Sequence, residues 1–229
     1  MEIGGLQKVS LMDYPGKICA IVFTQGCNFH CPYCHNPELV EPCLYRESLP
    51  EESIFSYLER RQGKLEAVTI TGGEPSIQSD LISFIKQVKA LGYLVKLDTN
   101  GSKPEVLEDL INFKLVDFLA MDIKAPLGRY ASVTRTPVKG KIIRQSIDMI
   151  LASGIPYEFR TTVVKSQLSK ADLLAIGNLI KNASLYVLQG YLPNKPLDKH
   201  FLTETTYCRE EFETVKEILE KNISRVLIR

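Results

Sequence analysis

Three cysteines lie close together in the segment C-N-F-H-C-P-Y-C-H-N, which runs from Cys27 to Asn36. Four kinds of site are compatible with their spacing. The pair Cys31-Pro-Tyr-Cys34 has the form of a redox dithiol, and with His35 after it the form of a c-type haem attachment site. The three cysteines together with His35 could hold zinc. The three cysteines alone could hold three irons of a cubane cluster and leave the fourth iron open.

Other features of the chain favour the cluster over the remaining three sites. A dithiol oxidoreductase would be a much smaller domain, and it would have no use for Cys27. Attachment of a c-type haem requires export, and the amino-terminal sequence MEIGGLQKVSLMDYPGK lacks the regions of a signal peptide. Structural zinc usually takes its ligands from two separated knuckles, so His30 and His35 are expected to be loop residues. In addition, the fourth iron of such a cluster, which has no cysteine ligand, could bind a substrate.

The composition is that of an ordinary globular protein. With 229 residues and 45% hydrophobic side chains, the chain can bury a sizeable core, and we predict a single domain spanning 1–229. A formal net charge of +1 does not indicate the strongly basic surface that is typical of nucleic-acid-binding proteins. No apolar run is long enough to cross a bilayer. We therefore predict a cytoplasmic protein without a membrane or nucleic-acid partner. Cys19, Cys43 and Cys208 are scattered and are expected to be ordinary thiols.

Strand and helix patterns alternate along the chain. Short apolar runs predict strands at 17–23, 67–71, 93–99, 116–123, 156–164, 184–191 and 224–229. Amphipathic segments with acidic, serine or proline starts predict helices at 50–64, 79–92, 103–114, 141–154, 169–181 and 209–221.

This alternation implies an α/β fold with a parallel sheet and right-handed crossovers. About six strand–helix units suit a partial (β/α)6 barrel better than a complete eightfold one. A flat doubly wound sheet is the alternative. One connection, 125–140, is long, and connections of this length are usually functional or mobile.

The polar and glycine-rich stretches follow the predicted strands. The cysteine segment follows the first strand, TGGEP (71–75) the second, DTNG (98–101) the third and DIKAP (122–126) the fourth, while Arg160 lies within the fifth. In barrels and open parallel sheets, ligands bind at the carboxyl edge of the strands. The coincidence of these stretches therefore predicts a single site at that edge.

Two of these motifs resemble a known superfamily. The pattern Cys27-x-x-x-Cys31-x-Tyr33-Cys34, followed one strand later by Gly72-Gly73-Glu74-Pro75, is similar to that of radical S-adenosylmethionine enzymes, and the resemblance extends over nearly the whole chain. Within that superfamily, the short length and the segment 10–40 resemble the activating proteins of glycyl radical enzymes. The activator of anaerobic ribonucleoside-triphosphate reductase is the most similar kind.

The resemblance implies a role for each matching residue. Cys27, Cys31 and Cys34 would ligate a 4Fe–4S cluster whose open iron binds the methionine end of S-adenosylmethionine. The implied cofactor-binding residues are Tyr33, Gly72, Gly73, Glu74, Pro75, Asp98, Asn100, Asp122, Lys124 and Arg160. The family carries Asp-Gly-Pro-Gly near the amino terminus. This chain has Asp13-Tyr14-Pro15-Gly16, which would assign Asp13 and Gly16 to a substrate groove.

The resemblance also implies a mechanism without a side-chain acid or base. An external donor such as flavodoxin or ferredoxin would reduce the cluster. Cleavage of S-adenosylmethionine would then give a 5′-deoxyadenosyl radical, which removes a hydrogen atom from a glycine of a partner enzyme. The partner that the resemblance implies is anaerobic ribonucleotide reductase. The alternatives are a pyruvate formate-lyase-type activator, a radical enzyme for a small molecule or nucleoside such as a deazapurine, and a non-enzymatic zinc or iron–sulfur module.

Overall fold

Eight strands and seven α-helices make up the fold, and the computed structural model describes all 229 residues. The strands are β1 (Ile3–Tyr14), β2 (Lys17–Thr24), β3 (Ala67–Gly72), β4 (Leu94–Thr99), β5 (Phe118–Asp122), β6 (Tyr157–Val163), β7 (Tyr186–Gly190) and β8 (Val226–Ile228). The helices are α1 (Glu51–Arg61), α2 (Leu81–Ala90), α3 (Pro104–Asn112), α4 (Tyr130–Thr134), α5 (Gly140–Ala152), α6 (Lys170–Leu179) and α7 (Arg209–Leu219). No helix is both long enough and apolar enough to span a bilayer.

The hydrophobic pattern explains why these segments form their elements. Four consecutive residues of β2, 19–22, are buried, as expected for a strand that is covered on both faces. The buried residues of α2 are Leu81, Phe84, Ile85 and Val88, which lie on one face of a helix. At the start of α6, Ser169 and Asp172 form a reciprocal capping box that satisfies two exposed N–H groups of the first turn.

The strands follow their chain order across the sheet, from β1 to β8. The first pair, β1 with β2, is antiparallel, whereas β2 with β3, β3 with β4, β6 with β7 and β7 with β8 are parallel. The predicted α/β fold with a parallel sheet is therefore confirmed. A doubly wound sheet would reverse its strand order at a switch point, so the uninterrupted order is consistent with the partial barrel.

Two elements differ from the sequence prediction. The antiparallel strand β1 precedes the first predicted strand. The long connection 125–140 contains a 3-10 turn at Leu127–Arg129 and the short helix α4, and the ring of Tyr130 in it is fully buried. Part of this connection is therefore core structure rather than a mobile loop.

The chain divides into two compact units. The first consists of Met1–Asn28, Glu38–Thr99 and Glu105–Leu119, and the second of Phe29–Pro37, Asn100–Pro104 and Ala120–Arg229. The first contains β1 to β4 and the second β6 to β8. A single domain over 1–229 stays a prediction, and the two units are described separately below.

Candidate functional site

The residues singled out by the sequence are divided between the two units. The first unit contains Asp13, Gly16, Cys27, Gly72, Gly73, Glu74, Pro75 and Asp98. The second unit contains Cys31, Tyr33, Cys34, Asn100, Asp122, Lys124 and Arg160.

In the first unit, the cysteine segment and the TGGEP stretch leave the sheet side by side. Thr24, the last residue of β2, pairs with Gly72, the last residue of β3. Beyond the strands, the Gly73 N–H donates to the Thr24 carbonyl at 2.8 Å, and the Glu74 N–H donates to the Gly26 carbonyl at 2.8 Å. These bonds fix the backbone that leads into Cys27.

The two glycines of TGGEP allow this backbone contact. A Cβ atom on Gly73 would lie 2.0 Å from the Gly26 carbonyl oxygen, and one on Gly72 would lie 2.4 Å from the Thr24 nitrogen. Gly72 also has a φ of +116°, in the region that favours glycine. The resemblance implied that these glycines bind the cofactor, and the structure adds that they let two protein segments approach each other.

Glu74 is fixed by hydroxyl groups from two strand ends. Its side chain is buried, and its Oε1 accepts hydrogen bonds from the backbone N–H of Ser76 at 3.0 Å and from the Thr99 hydroxyl at 2.7 Å. The Ser76 hydroxyl donates to the same oxygen. The sequence did not reveal Ser76, which directly follows TGGEP, or Thr99, which stands within DTNG.

Asp98 lies beside a buried lysine. The Lys96 ammonium pairs with the Asp98 carboxylate, and Lys96 is only 2% exposed. The same ammonium lies over the ring of Phe118, 6.0 Å from the ring centre. The charge of Asp98 is therefore already compensated. The signal that could have revealed Lys96 was a lysine inside an otherwise apolar strand.

Asp13 and Gly16 lie at the opposite end of β2 from Cys27. In the β1–β2 hairpin, Ile3 pairs with Thr24 whereas Tyr14 pairs with Lys17, so the turn containing Gly16 is at the amino end of β2. The Asp13 carboxylate accepts a hydrogen bond from the Ser10 hydroxyl. The assignment of these residues to a substrate groove stays a prediction.

In the second unit, the Cys31–Cys34 turn is held from two sides. The Cys34 N–H donates to the Cys31 carbonyl at 3.0 Å, which closes the turn. The His30 N–H donates to the carbonyl of Thr134 at 2.9 Å. The N–H of Leu197 donates to the Cys34 carbonyl at 3.0 Å, so segments from α4 and from the chain after β7 both brace the turn.

His35 is a loop residue in this structure. Its ring stacks on Tyr191 with 5.3 Å between the ring centres, and its Nε2 donates to the Leu192 carbonyl at 2.7 Å. These contacts fix the end of the cysteine turn without involving a ligand.

The inner side of the cysteine turn is buried. Loss of hydration raises the pKa of the Cys31 thiol to about 11, although the nearby charge of Lys124 acts in the opposite direction. Burial likewise raises the pKa of Tyr33, whose hydroxyl has no hydrogen-bond partner. A buried hydroxyl without a partner is rare, so the environment of Tyr33 suits an additional polar group.

Asp122, Lys124 and Arg160 form a charged cluster in the second unit. The Asp122 carboxylate lies 3.0 Å from the Lys124 ammonium and 2.8 Å from the Arg160 Nε. Burial acts to raise the pKa of Asp122, but the two cations outweigh it and hold that pKa below its usual range. Burial acts to lower the pKa of Lys124, and Asp122 reverses the effect, so Lys124 stays charged. Asp122 thus bridges Lys124 and Arg160.

Backbone contacts fix the position of this cluster. The backbone N–H of Lys124 donates to the Tyr130 hydroxyl at 3.1 Å, and the Ile123 N–H donates to the Arg160 carbonyl at 2.8 Å. The Arg160 guanidinium also lies 3.8 Å from the carboxylate of the buried Glu158. That carboxylate is closer to the Arg229 guanidinium, at 3.2 Å.

Asn100 shapes a turn. Its Oδ1 accepts from the Ser102 N–H at 2.9 Å, and the carbonyl of the intervening Gly101 accepts from the Ser146 hydroxyl at 2.7 Å. This side-chain oxygen therefore has a structural contact, and the predicted contact of Asn100 with a cofactor stays a prediction.

The chemistry of the cysteine segment suits an iron–sulfur cluster. All six cysteines are free thiols. A cubane takes one thiolate per iron. Three thiols in one tight loop, one of them near the charge of Lys124, are a suitable donor set for a 4Fe–4S cluster with one open iron.

Comparison with known proteins agrees with this donor set. The sequence pattern of the Radical SAM superfamily matches residues 21–175. MJ1227 of Methanocaldococcus jannaschii, provisionally named as a glycyl-radical enzyme activating enzyme, is 32% identical over 232 residues, which cover 99% of this chain and 95% of that protein.

Two further relatives have different names. A pyruvate formate-lyase-activating enzyme of Clostridium pasteurianum is 31% identical over 193 residues, covering 79% of this chain and 76% of that protein. A 7-carboxy-7-deazaguanine synthase of Clostridium acetobutylicum is 26% identical over 174 residues, covering 75% and 72%.

Among solved structures, Streptococcus suis SuiB has a similar fold, with a TM-score of 0.69 at 14% sequence identity. The match covers 91% of this chain but 48% of SuiB, so this chain spans about half the length of that protein.

Proposed function

The chain belongs to the radical S-adenosylmethionine superfamily and, within it, to the glycyl-radical-enzyme activating family, and we propose that it generates a glycyl radical on anaerobic ribonucleotide reductase. It is a radical S-adenosylmethionine oxidoreductase, and its cofactors are a 4Fe–4S cluster and S-adenosylmethionine. The observation that supports an activating role is the similarity to MJ1227, which extends over 99% of this chain and 95% of that protein. The choice of anaerobic ribonucleotide reductase rests on the resemblance of the short chain and of segment 10–40 to its activator.

In this proposal, Cys27, Cys31 and Cys34 hold the cluster. When bound, the cluster and S-adenosylmethionine supply the radical that abstracts hydrogen. The high pKa of the buried Cys31 means that its thiol is protonated at neutral pH without a metal. Metal binding must displace this proton, and the positive charge of Lys124 favours the thiolate that results.

The other residues bind and orient S-adenosylmethionine. Lys124 and Arg160 present positive charge near Cys31 and Asp122, where a ligand carboxylate can be accommodated. The unpartnered hydroxyl of Tyr33 offers a polar contact next to Cys31. Glu74 holds the TGGEP backbone in place and so supports the contacts of Gly72, Gly73 and Pro75 with S-adenosylmethionine. Asp98 and Asn100 are the remaining proposed cofactor-binding residues.

No side chain acts as an acid or base in this scheme. The chain's part is to position the reacting groups and to exclude water, so that the radical meets only the intended hydrogen atom. Asp13 and Gly16, the predicted groove residues, lie at the amino end of β2, opposite Cys27, and are given no part in the hydrogen transfer. An external flavodoxin or ferredoxin supplies the electron.

The proposal is tested by mixing the anaerobically reconstituted protein with S-adenosylmethionine, a reductant and anaerobic ribonucleotide reductase. We expect 5′-deoxyadenosine and, by electron paramagnetic resonance, a glycyl radical on the reductase in matching amounts. Cys31→Ala should abolish both products, and Cys43→Ala, an exposed thiol outside the motif, should leave them unchanged. Release of 5′-deoxyadenosine without a radical on the reductase would refute this choice of partner.

Two relatives support alternatives that the same assay can separate. The similarity to the pyruvate formate-lyase-activating enzyme favours that lyase as the second protein to test. The similarity to 7-carboxy-7-deazaguanine synthase favours a reaction on a small molecule or nucleoside such as a deazapurine. Turnover of such a compound, with no radical on either protein, would replace the activator proposal.

A further inference from the structure

Positive charge is concentrated in one part of the second unit. Between Asp122 and Asp148 the chain has no acidic residue, although acidic and basic residues nearly balance over the whole sequence. The basic residues of this stretch are Lys124, Arg129, Arg135, Lys139, Lys141 and Arg144. The segment after β7 adds Lys195 and Lys199.

Both basic segments contact the cysteine turn directly. Thr134, which accepts the hydrogen bond from the His30 N–H, is followed by Arg135. The Arg135 guanidinium pairs with the Asp198 carboxylate at 2.7 Å, and the Asp198 N–H donates to the Pro32 carbonyl at 2.9 Å. The two segments and the cysteine turn therefore form one continuous surface.

The start of α5 lies on the same side. A Cβ on Gly140 would lie 3.0 Å from the side chain of Leu127, so the first turn of α5 packs on the segment that follows β5. Lys139 and Lys141 flank Gly140 and are exposed. They therefore lie near the carboxyl end of β5 rather than at the far end of the helix.

Four lysines of this region are exposed and lie outside any ion pair. Arg129 is paired with Asp172 and Arg144 with Asp148. By contrast, no carboxylate pairs with any of the exposed lysines in this region. We name these four the basic rim: Lys139, Lys141, Lys195 and Lys199.

The basic rim adjoins the cysteine turn in the second unit. Lys195 and Lys199 flank Leu197 and Asp198, whose N–H groups donate to the carbonyls of Cys34 and Pro32. Lys139 follows Arg135, which pairs with Asp198.

Within the turn, His30 and His35 are exposed, whereas Cys31 and Tyr33 are buried. A substrate that loses a hydrogen atom must reach the buried residues. A protein that delivers only an electron needs to approach the exposed ones, and such encounters use small interfaces guided by opposite charge.

We propose that the basic rim is the docking surface for an acidic one-electron carrier protein. This inference rests on the proposed function, because it assumes a cluster on Cys27, Cys31 and Cys34. In the docked complex one electron leaves the carrier, which is oxidised by one electron, and enters the cluster, which is reduced by one. No bond is formed or broken and no proton moves between the two proteins.

The first test measures binding of oxidised flavodoxin, as the acidic probe, to the reconstituted full-length protein by titration calorimetry. We expect the affinity to fall as salt is raised. The double variant K139E/K141E should bind at least about tenfold more weakly and with a shallower salt dependence, since two charges are reversed and the net charge changes by four units. The matched control is K181E/K221E, which makes the same charge change beyond the carboxyl ends of α6 and α7 and should bind like the wild type.

The second test separates electron delivery from chemistry. With reduced flavodoxin at low concentration, K139E/K141E should cleave S-adenosylmethionine at least about tenfold more slowly than the wild type. The reason is that the altered surface no longer attracts the acidic donor. With dithionite, the two should be equal, because a small reductant needs no docking surface. Failure of the wild type to cleave S-adenosylmethionine with dithionite would refute the proposed function itself, whatever the binding result.

Several outcomes would overturn the docking inference. Equal flavodoxin affinity in wild type and K139E/K141E is one, and affinity that is independent of salt is another. Weaker binding to the reductase with unchanged binding to flavodoxin would assign the rim to the substrate protein. If K139E/K141E loses its iron, K195E/K199E provides the same comparison on the other segment.

Discussion

At Gly73, two stretches of backbone approach so closely that a side chain cannot fit. The family resemblance assigned Gly72 and Gly73 to cofactor binding. It could not indicate the neighbour, since Gly26 is distant along the chain and meets Gly73 only when β2 and β3 pair. The motif is therefore a structural support for the Cys27 segment, in addition to any role toward a ligand.

Gly73→Ala should destabilise the protein by about 1–3 kcal/mol, because the added methyl group collides with a carbonyl that hydrogen bonds hold in place. The free energy of unfolding in urea measures the effect. Gly128→Ala is the matched control, since a Cβ there meets nothing within 4 Å, and it should change stability by less than about 0.5 kcal/mol. Equal stability of the two variants would contradict the crowding at Gly73.

Thr99 illustrates a supporting residue that the sequence did not reveal. Threonine is common in strands, and nothing in DTNG indicates that this hydroxyl reaches Glu74. Thr99→Val keeps the shape and removes the donor, so the buried carboxylate loses one hydrogen bond. We expect a loss of about 1–3 kcal/mol in the free energy of unfolding. Thr99→Ser should recover most of it, and a valine variant as stable as the serine variant would rule out this role for the hydroxyl.

Among the elements, the buried strands and the amphipathic helices were predictable. The predicted strand at 17–23 is β2 (Lys17–Thr24) and the predicted helix at 79–92 contains α2 (Leu81–Ala90). Both follow from burial patterns that the sequence carries locally. In contrast, β1 is an antiparallel edge strand whose Leu11 and Met12 are exposed, so its sequence lacks the apolar run of a buried strand.

The helix α4 was missed for a different reason. At five residues it is too short to display a helical period, and it stands between prolines and glycines that indicate a loop. Its place is determined by tertiary contacts, in which Tyr130 packs against Phe29 and its hydroxyl accepts from the Lys124 N–H.

This account of α4 predicts a difference between two tyrosines. Tyr130→Phe should reduce the free energy of unfolding by about 1–3 kcal/mol, because the Lys124 N–H loses its acceptor in a buried site. Tyr157→Phe removes a hydroxyl that also accepts a backbone N–H, from Ser184, but near the surface, where water can replace it. Thermal or urea unfolding should show less than about 0.5 kcal/mol for Tyr157→Phe. A Tyr130→Phe variant as stable as Tyr157→Phe would show that α4 does not depend on this bond.

For the whole molecule, the order of the elements and the position of the motifs at strand ends could be predicted from the sequence. The ion pairs among the candidate site residues could not. Lys96 with Asp98, and Asp122 with both Lys124 and Arg160, are contacts made by folding. The basic rim could not be predicted from the formal net charge of +1, because that number sums the charges of the whole chain and does not show where they lie. The roles of individual residues toward S-adenosylmethionine came from the resemblance alone.

Removal of the cluster should lower the thermal stability of the whole protein, because a group that binds only the folded chain stabilises it by mass action. A ligand present at about 100 times its dissociation constant adds about 2.7 kcal/mol. In a protein of this size that corresponds to a Tm increase of roughly 5–10 °C. Anaerobic calorimetry of the reconstituted and chelator-treated protein measures the difference.

The cysteine variants decide which thiols are responsible for that difference. Cys27→Ala, Cys31→Ala and Cys34→Ala should each abolish the Tm difference, whereas the double variant C43A/C208A, which removes only exposed thiols, should retain it in full. If C43A/C208A abolished the difference, the ligands would be misassigned. If the reconstituted wild type melted at the same temperature as the chelated protein, the three-cysteine turn would not hold a cluster in the folded state, and the proposed chemistry would have no site.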